Sequence, residues 1–186
     1  MSDKLNHPLA LVADQIADLA HKGQMRKWAS DPYIVHPRRV AAMVAKLDGT
    51  DHVDVAAALL HDVVEDTEVK EDRLRNNLLA SLDGYTEDDV NATVALVMEL
   101  TKTYPDDEER LLSRAEKRER DWAQLRSVSK RAQRIKMCDR IDNITGSPMP
   151  SGMRRKYKPE SLTLAEICRP ADEWLYQRLL DAIATM

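Results

Sequence analysis

The sequence predicts an all-α fold, and three observations carry that reading. Apolar residues recur at three- and four-residue spacings along most of the chain. The segments so marked are bracketed by helix-capping and turn residues, and none shows the strict alternation of a half-buried strand. Composition agrees. There are five Gly and no Phe, while Ala, Leu, Met, Arg and Glu, which lose little rotamer freedom in a helix, are plentiful.

The first helix rests on Leu11, Val12, Ile16, Leu19 and Ala20, a stripe within residues 9–21 that Gly23 closes. Residues 24–35 read as a loop, because Asp31-Pro32 marks a turn and proline pushes its predecessor out of helical geometry. His36-Pro37 opens the second helix, since proline suits a first turn. Val40, Met43, Val44 and Leu47 form its buried stripe, and Asp48-Gly49-Thr50 ends it. Asp51 caps a third helix, with Asp54 in the first turn where negative charge meets the positive end of the dipole. Residues 53–60 are apolar almost all round, which predicts a central buried helix that delivers His61-Asp62 at its end. A shorter helix is expected over residues 71–82, followed by Asp83-Gly84-Tyr85. Thr86 caps the next, with Asp88 and Asp89 in its early turns and Val90, Val94, Val97, Met98 and Leu100 inside. Pro105-Asp106-Asp107 breaks the pattern.

Residues 108–126 are dense in charge, with Leu111, Leu112, Ala115, Trp122 and Leu125 intermittent, and read as a solvated amphipathic helix. The alternative is that some of its arginines reach over an active site to bind phosphate. A helix over residues 128–144 turns Ala132, Ile135 and Met137 inward. Residues 146–152 form a loop with two prolines, and helices over 153–167 and 170–184 follow. At 186 residues the whole chain, 1–186, is expected to be one domain with a real core.

Bulk properties exclude several function classes. A formal net charge of −4 disfavours nucleic-acid binding through a global positive field. Cys138 and Cys168 are too few for a disulfide scaffold and are expected to be reduced. Residues 1–8 lack an apolar core of signal-peptide length, and no apolar run approaches the roughly 18 residues of a membrane span. A cytoplasmic protein with no membrane partner is the expectation, with oligomeric state left open.

Chemistry concentrates at residues 57–67. His61 and Glu65 are four apart, as are Asp62 and Asp66, so on a helix each pair shares a face. These acids follow Ala56 to Leu60, and buried carboxylates are costly unless a metal, cation or donor compensates them. The stretch therefore reads as the floor of a metal-dependent active site. His36, where a loop meets a helix, and Asp139, late in another helix, are the candidate partners. His36, His61, Asp62 and Asp139 together suit a borderline-to-hard divalent ion, with Mn²⁺ favoured and Fe²⁺, Zn²⁺ and Mg²⁺ as alternatives. Such a set leaves positions for water and a phosphate oxygen. His7, His21 and His52 have no clear partner and read as structural or exposed. Met137 and Cys138 read as packing.

Four segments in order carry a family resemblance: residues 20–27, Pro32-Tyr33-Ile34-Val35-His36-Pro37, residues 57–67 and residues 135–143. Across most of residues 9–145 the chain resembles the HD superfamily of metal-dependent phosphohydrolases. More narrowly, it resembles the hydrolase domain of the RelA/SpoT homologues, including small stand-alone alarmone hydrolases. The resemblance implies an HD-domain helical bundle, with His36, His61, Asp62 and Asp139 as metal ligands. It implies Glu65 and Asp66 as the acidic pair that orients or activates the attacking water. It implies Arg26 and Lys27 as basic residues of the substrate site and Asn143 as a substrate contact. The implied reaction removes the 3′-pyrophosphate of guanosine tetra- or pentaphosphate, giving GDP or GTP and pyrophosphate. Four departures accompany it: residues 104–131 match the alarmone-specific pattern poorly, and three more are local. Trp28-Ala29-Ser30-Asp31 replaces a small Gly-containing loop, Asp142 stands where many members carry His, and Gly146 falls where a small hydroxyl residue often helps bind the base. They keep two alternatives in view. One is an enzyme for another nucleotide: a phosphomonoester, a 2′-phosphorylated dinucleotide of the NADPH type, or a cyclic nucleotide. The other is a non-catalytic nucleotide-sensing module.

Overall fold

The computed structural model describes residues 3–102 and 112–186. Among them the protein is all-α, and the one pairing of extended backbone is an isolated antiparallel bridge between Met25 and Pro32. After a short 3-10 turn, Asp3–Asn6, the helices run α1 (Pro8–Ala20), α2 (Val35–Val44), α3 (His52–Leu60), the single turn α4 (Val63–Asp66), α5 (Glu71–Leu79) and α6 (Glu87–Leu100). From residue 112 onward come α7 (Arg114–Ser127), α8 (Lys130–Thr145), α9 (Ser151–Cys168), a 3-10 turn (Arg169–Ala171) and α10 (Glu173–Ala184).

The centre is α3, as its all-round apolar character predicts. Every residue from Val53 to Leu60 is buried, and α3 packs against α1, α2 and α6. Asp51 caps it reciprocally. Its Oδ1 accepts from the Val53 and Asp54 amides at 2.9 and 3.1 Å, and Asp54 Oδ2 accepts from the Asp51 amide at 2.8 Å. The buried Asp54 carboxylate is answered by Arg131, whose Nε lies 2.7 Å from it while Nη2 reaches Asp51 at 2.7 Å. Arg134, one turn further along α8, bonds Asp172 at 2.9 Å and the Asp48 carbonyl at 2.6 Å. Arg131 thus ties α8 to the start of α3, and Arg134 ties it to the turn after α2 and to the cap of α10.

Boundaries differ from expectation in places. The helix expected over 71–82 ends at Leu79, and α9 starts at Ser151, so Gly152 is helical and not in a loop. The last helix begins at Glu173, where Asp172 caps it by accepting the Leu175 amide, while Pro170 sits in the preceding 3-10 turn. The chain does not run as one helix from α3 through the acids at 65 and 66. His61 and Asp62 form a turn between α3 and α4. The charged helix begins at Ser113, which caps Glu116 in a box. Pro105-Asp106-Asp107 and Leu111 lie outside the described residues. Gly23 and Gly84 adopt φ of 83° and 78°, the left-handed region that favours glycine. At Gly84 a Cβ would also stand 2.7 Å from Pro8 Cγ. Both cysteines are buried and free. No described helix is long and apolar enough to cross a membrane.

The Thr86 cap of α6, which accepts the Asp89 amide and is backed by Asp89 Oδ2, lies at the far end of α6 from the acids. Thr86→Ala is expected to lower unfolding free energy by about 1 kcal/mol in urea titrations, with the fold retained.

Candidate active site

The two histidines are aimed at each other by their backbones. His61 follows the last residue of α3, and its Nδ1–H donates to the Ala58 carbonyl at 2.8 Å, turning Nε2 inward. His36 lies in the first turn of α2, its amide bonded to the Tyr33 carbonyl at 2.9 Å. Donor atoms of His36, His61 and Asp62 all lie within 4.8 Å of one another. Asp62 Oδ2 is 3.1 Å from His61 Nε2 and 3.6 Å from His36 Nε2. Asp139, from α8, is outside that tight trio but adjoins it, its Oδ1 lying 3.1 and 3.8 Å from the two Nε2 atoms. The structure thus brings His36, His61, Asp62 and Asp139 together.

This arrangement fits a divalent cation. His61 is 1% exposed, and its Nε2 has no aligned hydrogen-bond partner among the described residues despite the nearby carboxylate. A buried nitrogen left in this way loses the free energy of a hydrogen bond, and a metal supplies the missing partner. The electrostatics agree. Burial works against charge on His61, but Asp62 and Asp139 outweigh it and raise its pKa to about 10. Burial opposes ionisation of Asp62 as well, yet His61 holds it well below the usual carboxylate range. Asp139 is likewise lowered against its burial, chiefly by Lys136, whose Nζ is 3.2 Å from Oδ2. So negative a cluster draws a cation, and without a metal it draws protons.

Glu65 and Asp66 follow on α4 and face different neighbours. Glu65 Oε1 pairs with Lys102 Nζ at 2.7 Å. Asp66 lies 3.2 Å from the Tyr33 hydroxyl, which donates its proton to Asp62 at 2.6 Å. Burial, with Asp62 and Glu65 nearby, raises the Asp66 pKa above its ordinary value. Burial and the Asp62 charge raise Tyr33 too, so it stays a donor.

Two cavities flank the cluster and share Tyr33, Asn143, Tyr157 and Glu160 as walls. The first, about 310 Å³, holds His36, Asp62, Glu65 and Asp139, with Lys102, Arg118, Lys136 and Arg140 as its cations. The second, about 730 Å³, is lined by Arg26, Lys27 and Trp28 and by Met25, Met149 and Met153. Arg26 is buried, and its Nη1 donates to Asn143 Oδ1 at 3.2 Å; Lys27 is exposed at the rim. Asn143 in turn donates to Asp139 Oδ1 at 2.5 Å. Trp28 is 43% exposed at φ 61°, a backbone region costly for a bulky side chain. Of the charged helix, Arg118 lines the first cavity, where it is ion-paired to Glu160.

Sequence reasoning gave Tyr33 and Lys136 no role and met Asp142 only as a departure from the family pattern. Each had a signal: Tyr33 and Lys136 stand three residues before His36 and Asp139. Asp142 continues the 135, 138, 139 spacing of a buried stripe. His21 and His52 do have partners. His21 Nδ1 meets Gln24 Oε1 at 2.8 Å, and His52 meets Asp89 at 2.9 Å and stacks on His7 with ring centroids 3.9 Å apart.

A helical bundle with paired His and Asp donors on three elements defines a class of proteins, and the HD domain model matches residues 13–164. The chain belongs to the HD domain family. Its curated relatives include the guanosine-3′,5′-bis(diphosphate) 3′-pyrophosphohydrolase of Haemophilus influenzae, 49% identical over 67 residues, which are 36% of this chain and 10% of that protein. The protein of the same name from Borreliella burgdorferi is 35% identical over 89 residues, 46% of this chain and 13% of that protein. The GTP pyrophosphokinase of Streptomyces coelicolor is 48% identical over 65 residues, 35% of this chain and 7% of that protein. The chain thus matches only a small fraction of each relative's length. A solved structure described as a metazoan ortholog of SpoT that hydrolyses ppGpp superposes with TM-score 0.77 at 24% identity, covering 96% of this chain and 95% of that one. That likeness establishes a common fold.

The raised His61 pKa makes the metal-free protein sensitive to pH. Its charge pairing stabilises the fold fully below the ordinary imidazole value of 6.5 and is lost as pH rises through about 10. Urea denaturation in chelator is expected to show stability declining across that window. A flat profile there contradicts a shared proton between His61 and its carboxylates.

Proposed function

We propose that this protein is a metal-dependent phosphohydrolase that removes the 3′-pyrophosphate from guanosine tetra- or pentaphosphate. One observation carries the reading: His36, Asp62 and Asp139 line a cavity that sets two lysines and two arginines among its carboxylates, and that cavity adjoins a second with apolar, aromatic and arginine walls. Such a pair of cavities accommodates a ligand with phosphates at one end and a planar base at the other. The names of the Haemophilus and Borreliella relatives point to the same substrate.

His36, His61, Asp62 and Asp139 would hold the ion, for which Mn²⁺ is favoured by the mixed imidazole and carboxylate set. When bound, the ion supplies Lewis acidity at a phosphoryl centre. The chain's own residues do the rest. Glu65 and Asp66 orient water and accept its proton, and the raised pKa of Asp66 suits that task. Tyr33 holds Asp62 by its hydroxyl and bridges it to Asp66. Lys102, Lys136 and Arg140 offset phosphate charge, while Arg26, Lys27 and Asn143 bind the nucleotide from the other cavity. Water adds across the ester bond at the 3′ position, leaving a free 3′-hydroxyl and intact pyrophosphate.

The test is a substrate panel with the purified chain and Mn²⁺, with products identified. Intact pyrophosphate from the 3′ position is expected. Orthophosphate from a different nucleotide instead assigns another substrate, and metal binding without any turnover assigns a sensing module. Asp62→Ala is expected to lose both metal and activity. Glu65→Gln is expected to retain Mn²⁺ while turnover falls by about 10²- to 10⁴-fold. Full activity in Asp62→Ala contradicts the site.

A further inference from the structure

Asp142 is 4% exposed, and the chemistry above does not use it. Its Oδ2 lies 2.7 Å from His36 Nδ1 and 3.4 Å from Arg26 Nη2. With a metal on Nε2, the His36 ring proton would sit on Nδ1 and donate to this carboxylate. That leaves the Nε2 lone pair of His36 facing Asp62 and Asp139. The bonds continue beyond this pair. Arg26 donates to Asn143, Asn143 donates to Asp139 Oδ1, and Asp139 Oδ1 stands 3.1 Å from His36 Nε2. Five side chains from the 24–34 loop, α2 and α8 thus close a ring. Gly146 makes the space for it: a Cβ there would lie 2.9 Å from Asp142 Oδ1 and 2.7 Å from its carbonyl oxygen.

We propose that Asp142 is a positioning residue for both halves of the site. It holds His36 in the tautomer and orientation that present Nε2 to a divalent cation, and through the same oxygen it anchors Arg26 in the nucleotide cavity. This role rests on His36 being a metal ligand. A carboxylate that merely neutralised Arg26 in the core would alter stability and leave metal affinity unchanged. A carboxylate that orients a ligating histidine is worth about 10- to 100-fold in metal affinity. Asp142 also links the metal site to the nucleotide cavity by contact, so its loss is felt on both sides.

The experiment is calorimetric titration of the full-length chain with Mn²⁺ alone, in wild-type, Asp142→Asn and His36→Ala forms, with folding verified by circular dichroism. Asp142→Asn preserves shape and an acceptor oxygen but removes the charge, so it keeps the fold. It is expected to bind Mn²⁺ roughly tenfold more weakly than wild type. At saturating Mn²⁺ its KM for guanosine tetraphosphate is expected to rise more than its kcat falls, because Arg26 has lost a charged anchor. Wild-type Mn²⁺ affinity in Asp142→Asn, with affinity lost in His36→Ala, overturns the positioning role and leaves the metal site standing. Wild-type affinity in His36→Ala overturns the metal site itself. An unchanged KM in Asp142→Asn overturns the link to Arg26.

Discussion

Carboxylates and imidazoles are buried together at the end of an apolar helix, and the rest of the structure answers that burial. Residues 53–60 of α3 are desolvated on every side, so the turn at His61-Asp62 is driven into the interior with them. Ionised groups there need partners at hydrogen-bond distance, because the medium no longer screens them. α2 supplies His36, α8 supplies Asp139 and Lys136, and the loop before α2 supplies Tyr33. The Arg131 and Arg134 contacts matter for the same reason. They tie α8, the helix that carries Asp139, to the start of α3 and to the turn before it.

The acid pair on α4 stands at a seam. Glu65 faces the cavity with the lysines and Asp66 faces the one with Trp28, while Tyr33 walls both. A break between α3 and α4 produces this division. On one continuous helix, residues 61 and 65 would share a stripe, but the turn at 61–62 reorients the acids after it. The two acids therefore meet different surroundings although they are neighbours in sequence. Burial and nearby carboxylates favour the proton on Asp66, and Lys102 holds Glu65 as an ion pair.

Legibility followed the length scale of each interaction. The caps at Asp51 and Thr86 and the buried stripe of α3 were readable because they depend on residues within one or two turns. The end of α5 and the start of α10 were not, since the terminal turns of a helix yield to whatever they pack against. Asp142 was half legible. Its spacing placed it on the buried face of α8, but nothing local said that its partners are His36 and Arg26, more than a hundred residues earlier. The departures at Asp142 and Gly146, separate in sequence reading, are one feature in space: the carboxylate occupies room that a side chain at 146 would take.

By itself the sequence determined the helical class and the central helix, and it singled out His36, His61, Asp62 and Asp139 as candidates, because period, capping and residue chemistry are properties of short segments. Tertiary structure alone decided which donors meet and at what distance, and how Tyr33, Lys136 and Asp142 support them. It also decided that the two cavities share a wall. Those outcomes depend on the relative placement of α2, α3 and α8, which is set by packing and by ion pairs between residues far apart in the chain. Charges buried at such a junction are stable only when all of their partners arrive together, and no single segment carries that condition.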